Sequence, residues 1–461
     1  MKQEILIGNL MKRAVVVGAG INGYILAILL AKNGYKVTIL ESGNITGGQF
    51  RGIQVGDYTF DHGLYIPQLT GHKDIDDILL ENNPVVERTL QNKDVAGSIY
   101  NGKLNCDSMF IDLRWNKSLA SKALYSIAEK YGFEDFKTNS TNEYFKNRFG
   151  IEAFDRVYKN IIQNVLSQKS DDFDVAALKI FHLSRIILFD NEASLRIKKD
   201  HYFDQVIAFP EQMNIPDKFI KDKTPSVYPN NYGLHNLLSS LENQLKKYNI
   251  SIELGVKLVK LNCIGNVASS ITYLKGDLEA TIDFEHVAWC GNTYALDGLL
   301  GLHTNIEKKI DPAIKQEVSY CVTNEKPKVR NLYWLWDYDD NPVMRISFPH
   351  NYSHIPLTDS YLMVIEHKDT GSTEFLSGYF EDEKIISPKS IISIHTPHVT
   401  KRGFFNFTKN NVELDREFLK KVEAIIPKNF HLCSRRVSDG EFYLHDLLTT
   451  AYKAIILKGV I

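Results

Sequence analysis

Residues 14–48, AVVVGAGINGYILAILLAKNGYKVTILESGNITGG, hold a strand, a glycine turn, a helix, a second strand and an acid, in that order. Ala14 to Val17 is a short apolar run suited to a buried parallel strand, and Gly18, Gly20 and Gly23 follow at the spacing G-x-G-x-x-G. In such a fingerprint the first glycine permits a tight turn, the second lets backbone approach a pyrophosphate, and the third lets helix pack closely on strand. Ile21, Tyr24, Ile25, Ile28 and Leu29 recur on one helical face, and Gly34 stands where a C-terminal cap is expected. The N-terminal N–H groups of that helix aim at the phosphates. A second strand, Lys36 to Leu40, ends at Glu41, where a ribose diol needs an acceptor, and no arginine follows to suggest a 2′-phosphate. The stretch predicts a Rossmann-like dinucleotide site in which Gly18, Gly20, Ile21, Asn22, Gly23, Glu41 and Ser42 meet the ligand.

Gly47 and Gly48, six and seven positions beyond Glu41, place a second bare backbone beside the phosphates, with Gln49 next to it. This Glu-x5-Gly-Gly extension resembles the flavoprotein superfamily of amine oxidases, protoporphyrinogen oxidases and UDP-galactopyranose mutases rather than NAD dehydrogenases. Residues 55–67, VGDYTFDHGLYIP, resemble the "fD-x-G" element of those families, and Asp61 and Gly63 carry the match. His62 suits a place facing substrate or a structural one beside the turn. Gln49 departs from the arginine that many relatives have there, and the nearest here is Arg51. The resemblance implies an α/β fold: an FAD-binding domain of the glutathione-reductase type with an inserted mixed α+β substrate domain, FAD as cofactor, and an enzyme.

Further segments extend the resemblance. Residues 139–155, NSTNEYFKNRFGIEAFD, are similar to a segment of protoporphyrinogen-oxidase-like proteins; Ser140 or Thr141 can cap a helix with Tyr144, Phe145 and Phe149 on its apolar face. Leu234, Leu237, Leu238, Leu241 and Leu245 fall on one face of another helix, and Ile250 to Leu261 reads as a strand. In the family this pair rejoins the dinucleotide domain, which implies that backbone near Leu258 meets the adenine; Tyr228-Pro229 and Gly233 add to the likeness. His286 to Cys290 reads as a strand ending in the turn Gly291-Asn292.

Strand-like alternation over 331–367, with PVMRISFPHNYSHIP and YLMVIEH, looks like the sugar-nucleotide mutases. That likeness implies Arg345 as a contact to substrate phosphates, a role suited to a planar charged fork; the other reading pairs it with Glu366 on a sheet surface. Trp334, Trp336, Tyr352 and Tyr361 suit stacking on a uracil or sugar, although aromatics in strands are more often core. At the end of the chain the oxidases' "G-D" turn is missing, and the stretch 439–446 is closer to the mutases' ending. Asp446 can cap the last helix, whose N-terminal dipole would face the flavin.

Composition sets the remaining bounds. The 461 residues are 44% hydrophobic with 11% aromatic, enough for sizeable cores, and a formal charge of −2 argues against a general nucleic-acid binder. Arg196-Ile-Lys-Lys199 and Arg435-Arg436 read as solvated surface. Cys106, Cys263, Cys290, Cys321 and Cys433 are scattered, without C-x-x-C spacing, as in reduced cytosolic thiols; no metal site is expected, and a proline separates His395 from His398. No spanning segment is visible, the expected compartment is the cytoplasm, and Met1 and Met11 both stand as candidate starts.

The expected organisation is a discontinuous FAD domain (11–105, 225–300 and 415–461) around a substrate domain (106–224 and 301–414). The expected activity is that of an FAD-dependent oxidoreductase or mutase-like enzyme acting on a sugar nucleotide or related polar metabolite in surface-polysaccharide synthesis. An amine or protoporphyrinogen-type oxidase, and a non-catalytic FAD-binding partner subunit, stand as alternatives. A small-molecule substrate is the expected partner, with a reduced nicotinamide electron donor and a homo-oligomer left open. His62 and Arg345 are the candidates for catalysis beside the flavin itself.

Overall fold

The computed structural model describes residues 12–81, 85–88, 95–132, 138–166, 173–178, 183–216, 219, 225–353, 360–370, 372–396, 405–441, 443–456 and 459–460. Met11, His398 and Phe442 lie outside them.

Five parallel strands make the first sheet, in the order Ser251–Glu253, Lys36–Leu40, Arg13–Val17, His286–Trp289 and Phe430–Leu432. Val16, Val37 and Ile39 face one core, while Val15, Leu40 and Val287 face another. A parallel sheet covered on both faces needs such unbroken apolar strands, and β-branched residues fit its pleat. The helix Ile21–Lys32 was expected to bury one face. All ten residues from Ile21 to Leu30 are buried instead, because the helix is enclosed by the sheet, by the helices Lys73–Leu80 and His235–Lys247, and by the terminal helix Leu444–Ile456. The segment 250–261 is not one strand: Gly255, at φ +66°, breaks it, so Ser251–Glu253 joins the parallel sheet while Val256–Ile264 opens a three-stranded antiparallel meander.

A second sheet has seven strands, ordered Ile391–His395, Glu317–Thr323, Tyr361–His367, Val343–Ser347, Trp334–Asp337, Ala96–Tyr100 and Lys103–Asn105. Ala96–Tyr100 pairs in parallel with Trp334–Asp337 and so belongs to this sheet. The helix Lys409–Ile425 packs Phe418, Leu419 and Val422 under the parallel sheet. The helices Lys117–Glu129 and Thr141–Phe149 share a core beside the second sheet. Ser140 caps the latter by accepting the Glu143 N–H, and the Phe145 and Phe149 rings stack on Tyr158 with centroids 4.5 and 4.9 Å away. Among the described residues no helix is long and apolar enough to cross a membrane.

Candidate active site

One cavity of about 3530 Å³ runs from the carboxyl ends of the parallel strands to the second sheet. Open parallel sheets bind ligands at that edge. The glycine fingerprint explains the near end. Gly18 takes φ +106°, and a Cβ on Gly23 would lie 1.9 Å from the Gly18 carbonyl oxygen, so only glycine lets this helix sit so close to its strand. Gly20 has nothing within 4 Å of its Cβ position: the space beyond it is left for a ligand. No side chain caps the helix at Gly20 and its first turn carries no acid, so N–H groups and the positive dipole end address the cavity.

Glu41 is fixed at the end of its strand by the N–H groups of Ala19 and Gly43, each donating at 2.7 Å to a different carboxylate oxygen. Gly47, at φ +92°, donates to the Ala19 carbonyl at 2.8 Å; a Cβ there would strike Leu238 at 2.2 Å. A Cβ on Gly48 would lie 3.5 Å from the Gly20 Cα, so the two glycine turns face each other. Gly18, Gly20, Ile21, Asn22, Glu41, Ser42, Gly47, Gly48 and Gln49 line one end of the cavity, with Leu258 beside them. His62 and Gly63 line it further along, and burial with the charge of Arg51 holds the His62 pKa below its usual value.

Three expected residues stand differently. Gly23 acts behind the cavity wall through packing. Asp61 does not line the cavity either: its buried carboxylate accepts from the Tyr228 hydroxyl and, at 2.8 Å, from the Leu234 N–H. Burial raises its pKa to about 6 against the opposing hydrogen bond from Tyr228. Asp61 therefore ties the Asp-x-Gly turn to the Tyr228–Gly233 turn. Asp446 lies inside the first turn of Leu444–Ile456 rather than before it, and reaches back to accept the Tyr443 N–H at 3.1 Å; Tyr443, Leu444, His445 and Leu447 form the wall.

At the far end Trp336, Arg345 and Glu366 stand opposite one another across three strands and all face the cavity. Both Glu366 oxygens accept from the Arg345 Nη2, at 2.6 and 2.8 Å, and the guanidinium carbon sits 5.0 Å from the Trp336 ring centre. Trp334 lines the cavity too, whereas Tyr352 is buried in the core and Tyr361 is outside the lining. The walls there are apolar and buried, with Met109, Val165, Leu183, Val206, Met344 and Phe407 at most 2% exposed. The rim is polar, with Tyr131 and His201 exposed and Asp200 half-buried.

One exposed residue of the Arg435-Arg436 pair also lines the cavity. Arg436 does pair outward with Glu423, but Arg435 faces into the cavity. Its signal was its place just after a strand of the parallel sheet, hidden because Phe430–Leu432 is only three residues long.

Comparison with known proteins agrees with this architecture. A model of the NAD(P)-binding Rossmann-like domain matches residues 16–79. The 1-hydroxycarotenoid 3,4-desaturase of Flavobacterium sp. (strain P99-3) is 24% identical over 295 residues, 59% of this chain and 56% of that protein, so the chain aligns with little more than half of that relative. Reduced UDP-galactopyranose mutase superposes with a TM-score of 0.66 at 14% identity, covering 98% of this chain and 96% of that one. Putrescine oxidase bound to putrescine gives 0.60 at 13% identity, covering 97% and 98%. The chain carries a Rossmann-like dinucleotide-binding domain and has the fold of UDP-galactopyranose mutase and putrescine oxidase.

Proposed function

We propose that this chain is an FAD-dependent oxidoreductase. The observation that carries the reading is the continuity of the cavity: one space joins the glycine turns, shaped for a pyrophosphate, to a second-sheet lobe large enough for a substrate. Gly20, the uncapped helix end, Glu41 and Gly48 would hold the dinucleotide, and Gly63 with the first turn of Leu444–Ile456 would border its ring system. FAD supplies the two-electron chemistry when bound, and the protein supplies orientation, water exclusion and charge. His62 would border the substrate at the cavity wall, its pKa held below the usual value by burial and the Arg51 charge.

The lining favours a substrate with an apolar body and a polar end, because buried side chains form the walls and polar ones the rim. The sequence likeness to a 1-hydroxycarotenoid 3,4-desaturase is compatible with removal of hydrogen from such a body. A second reading, the sugar nucleotide of surface-polysaccharide synthesis, rests on Arg345 facing the lobe, yet the Glu366 carboxylate already fills the fork that a diphosphate would need. The amine-oxidase and partner-subunit readings have no specific side-chain arrangement in their favour.

The test is the visible spectrum of the purified protein, reconstituted with FAD and mixed anaerobically with isoprenoid, amine and sugar-nucleotide panels. Bleaching by one panel supports an oxidoreductase and names its class. A protein that takes up no FAD sinks the reading.

A further inference from the structure

We propose that Cys290 and Cys433 are a reversible modification site: hydrogen peroxide joins them in a disulfide, and that bond loosens the hold of the fingerprint turn on its dinucleotide. The pairing stands on the strands alone, while its effect on the cofactor rests on the FAD reading above.

The two cysteines are remote in sequence and neighbours in the sheet. His286–Trp289 and Phe430–Leu432 run parallel with Trp289 opposite Leu432, and the ladder continues one step further, because the Cys433 N–H donates to the Trp289 carbonyl at 2.9 Å. Cys290 therefore stands opposite Cys433. Both lie on the sheet face that carries the fingerprint helix, where Cys433 is buried in the core and Cys290 packs against it. The two thiols are hydrogen-bonded to each other, and the Cys433 thiol also donates to the Ala451 carbonyl at 4.0 Å. Cys290 is only half-buried and borders the cavity, so a small oxidant has a route to this end of the pair.

Strand geometry sets the character of the bond. Paired Cα atoms on neighbouring strands lie about 4.8 Å apart, within the range that a disulfide spans but short of its preferred separation of about 5.5–6 Å. A bond formed there is strained and easily reduced, which suits a switch and not a staple. In the first step the Cys290 thiolate attacks one peroxide oxygen, the O–O bond breaks, and the departing hydroxide takes up a proton to leave as water. The Cys433 thiolate then attacks the sulfenic sulfur, the S–O bond breaks, and a second water leaves. Two thiols are oxidised to one disulfide while the peroxide is reduced to two waters. The contact with Cys433, together with burial, pushes the Cys290 thiol well above its usual range, so the first step is slow and the pair answers sustained exposure to peroxide.

The consequence lies in what the two backbones hold. The Cys290 N–H donates to the Val17 carbonyl at 2.8 Å, and the Cys290 carbonyl packs against Gly18, whose Cβ position lies 3.2 Å from it. The Cys433 carbonyl accepts from the Asn22 side chain, in the first turn of the fingerprint helix, at 2.7 Å. A strained link that shifts Cys290 and Cys433 therefore moves both the first glycine of the turn and the start of the helix, whose N–H groups must converge on a pyrophosphate.

The experiment treats the wild type, C290A and C433A with hydrogen peroxide, maps cross-linked peptides by mass spectrometry, and titrates FAD by fluorescence before oxidation, after it, and after dithiothreitol. In the wild type a cross-link between Cys290 and Cys433 is expected, with FAD affinity lowered about tenfold, within the usual range for coupling between two sites, and restored by dithiothreitol. Neither variant should form the cross-link or lose affinity on oxidation, and in C433A dimedone should trap the sulfenic acid on Cys290. Exhaustive peroxide that oxidises the exposed Cys263 and yet leaves Cys290 and Cys433 unlinked overturns the proposal. A cross-link that leaves FAD affinity unchanged overturns it too, by reducing the pair to a staple. A reduced wild type that takes up no FAD sinks the underlying reading and the coupling with it, whereas a missing cross-link sinks this proposal alone, so the two failures are distinct.

Discussion

Glu366 grips Arg345 through both carboxylate oxygens and, on Oε1, also accepts the Leu64 N–H at 3.2 Å. The strand pair thereby braces the segment that carries Gly63. Arg345→Ala would strand a carboxylate whose side chain is only 8% exposed, and should lower stability by about 3 kcal/mol, the lower end for breaking a buried pair, in urea melts. Arg345→Lys should leave the calorimetric affinity for UDP-sugars unchanged. A loss of about 1.5–3 kcal/mol in that affinity would restore Arg345 as a diphosphate ligand.

The fingerprint glycines should separate in their effects. Gly20→Val projects into open cavity, so the apoprotein should melt as the wild type does while flavin binding is lost. Gly23→Ala drives a methyl into the Gly18 carbonyl and should destabilise the apoprotein itself. Thermal melts with and without FAD check both; equal behaviour of the two variants would refute the assignment.

Glu41→Ala removes the acceptor of two N–H groups as well as the expected ribose contact. Flavin affinity should fall by about 1.5–3 kcal/mol in fluorescence titrations, with the maximal flavin content retained at high FAD.

Asp61 makes stability depend on pH. Its folded pKa of about 6 lies above the ordinary carboxyl value, so the native state binds the extra proton between the two. The contribution is full below the unfolded pKa and is lost as pH rises through 6, a swing of about 3 kcal/mol. Asp61→Asn should flatten the melting temperature between pH 4 and pH 6; a profile as steep as the wild type's would locate the proton elsewhere.

The first strand, helix and second strand were legible because local pattern and tertiary need coincide from Arg13 to Leu40. The last strand of that sheet was not, since three residues carry no period, and with it went the site of Arg435. Trp336, Arg345 and Glu366 were each noticed in the sequence, but their alignment into one row depends on cross-strand register, which composition does not encode. Asp61 was recognised by its motif and misassigned by it: the same carboxylate serves as an internal tie when tyrosine and backbone donors enclose it.

The bond from the Asn22 side chain to the Cys433 carbonyl joins residues 411 positions apart. At about 5–20 residues per second, synthesis separates its two ends by roughly 20–80 s. During that interval the fingerprint helix lacks its partner strand, and its apolar surface is open to solvent and to other chains. The nascent protein therefore carries an incomplete parallel sheet until the final strand arrives, a delay that a contiguous dinucleotide domain would not impose.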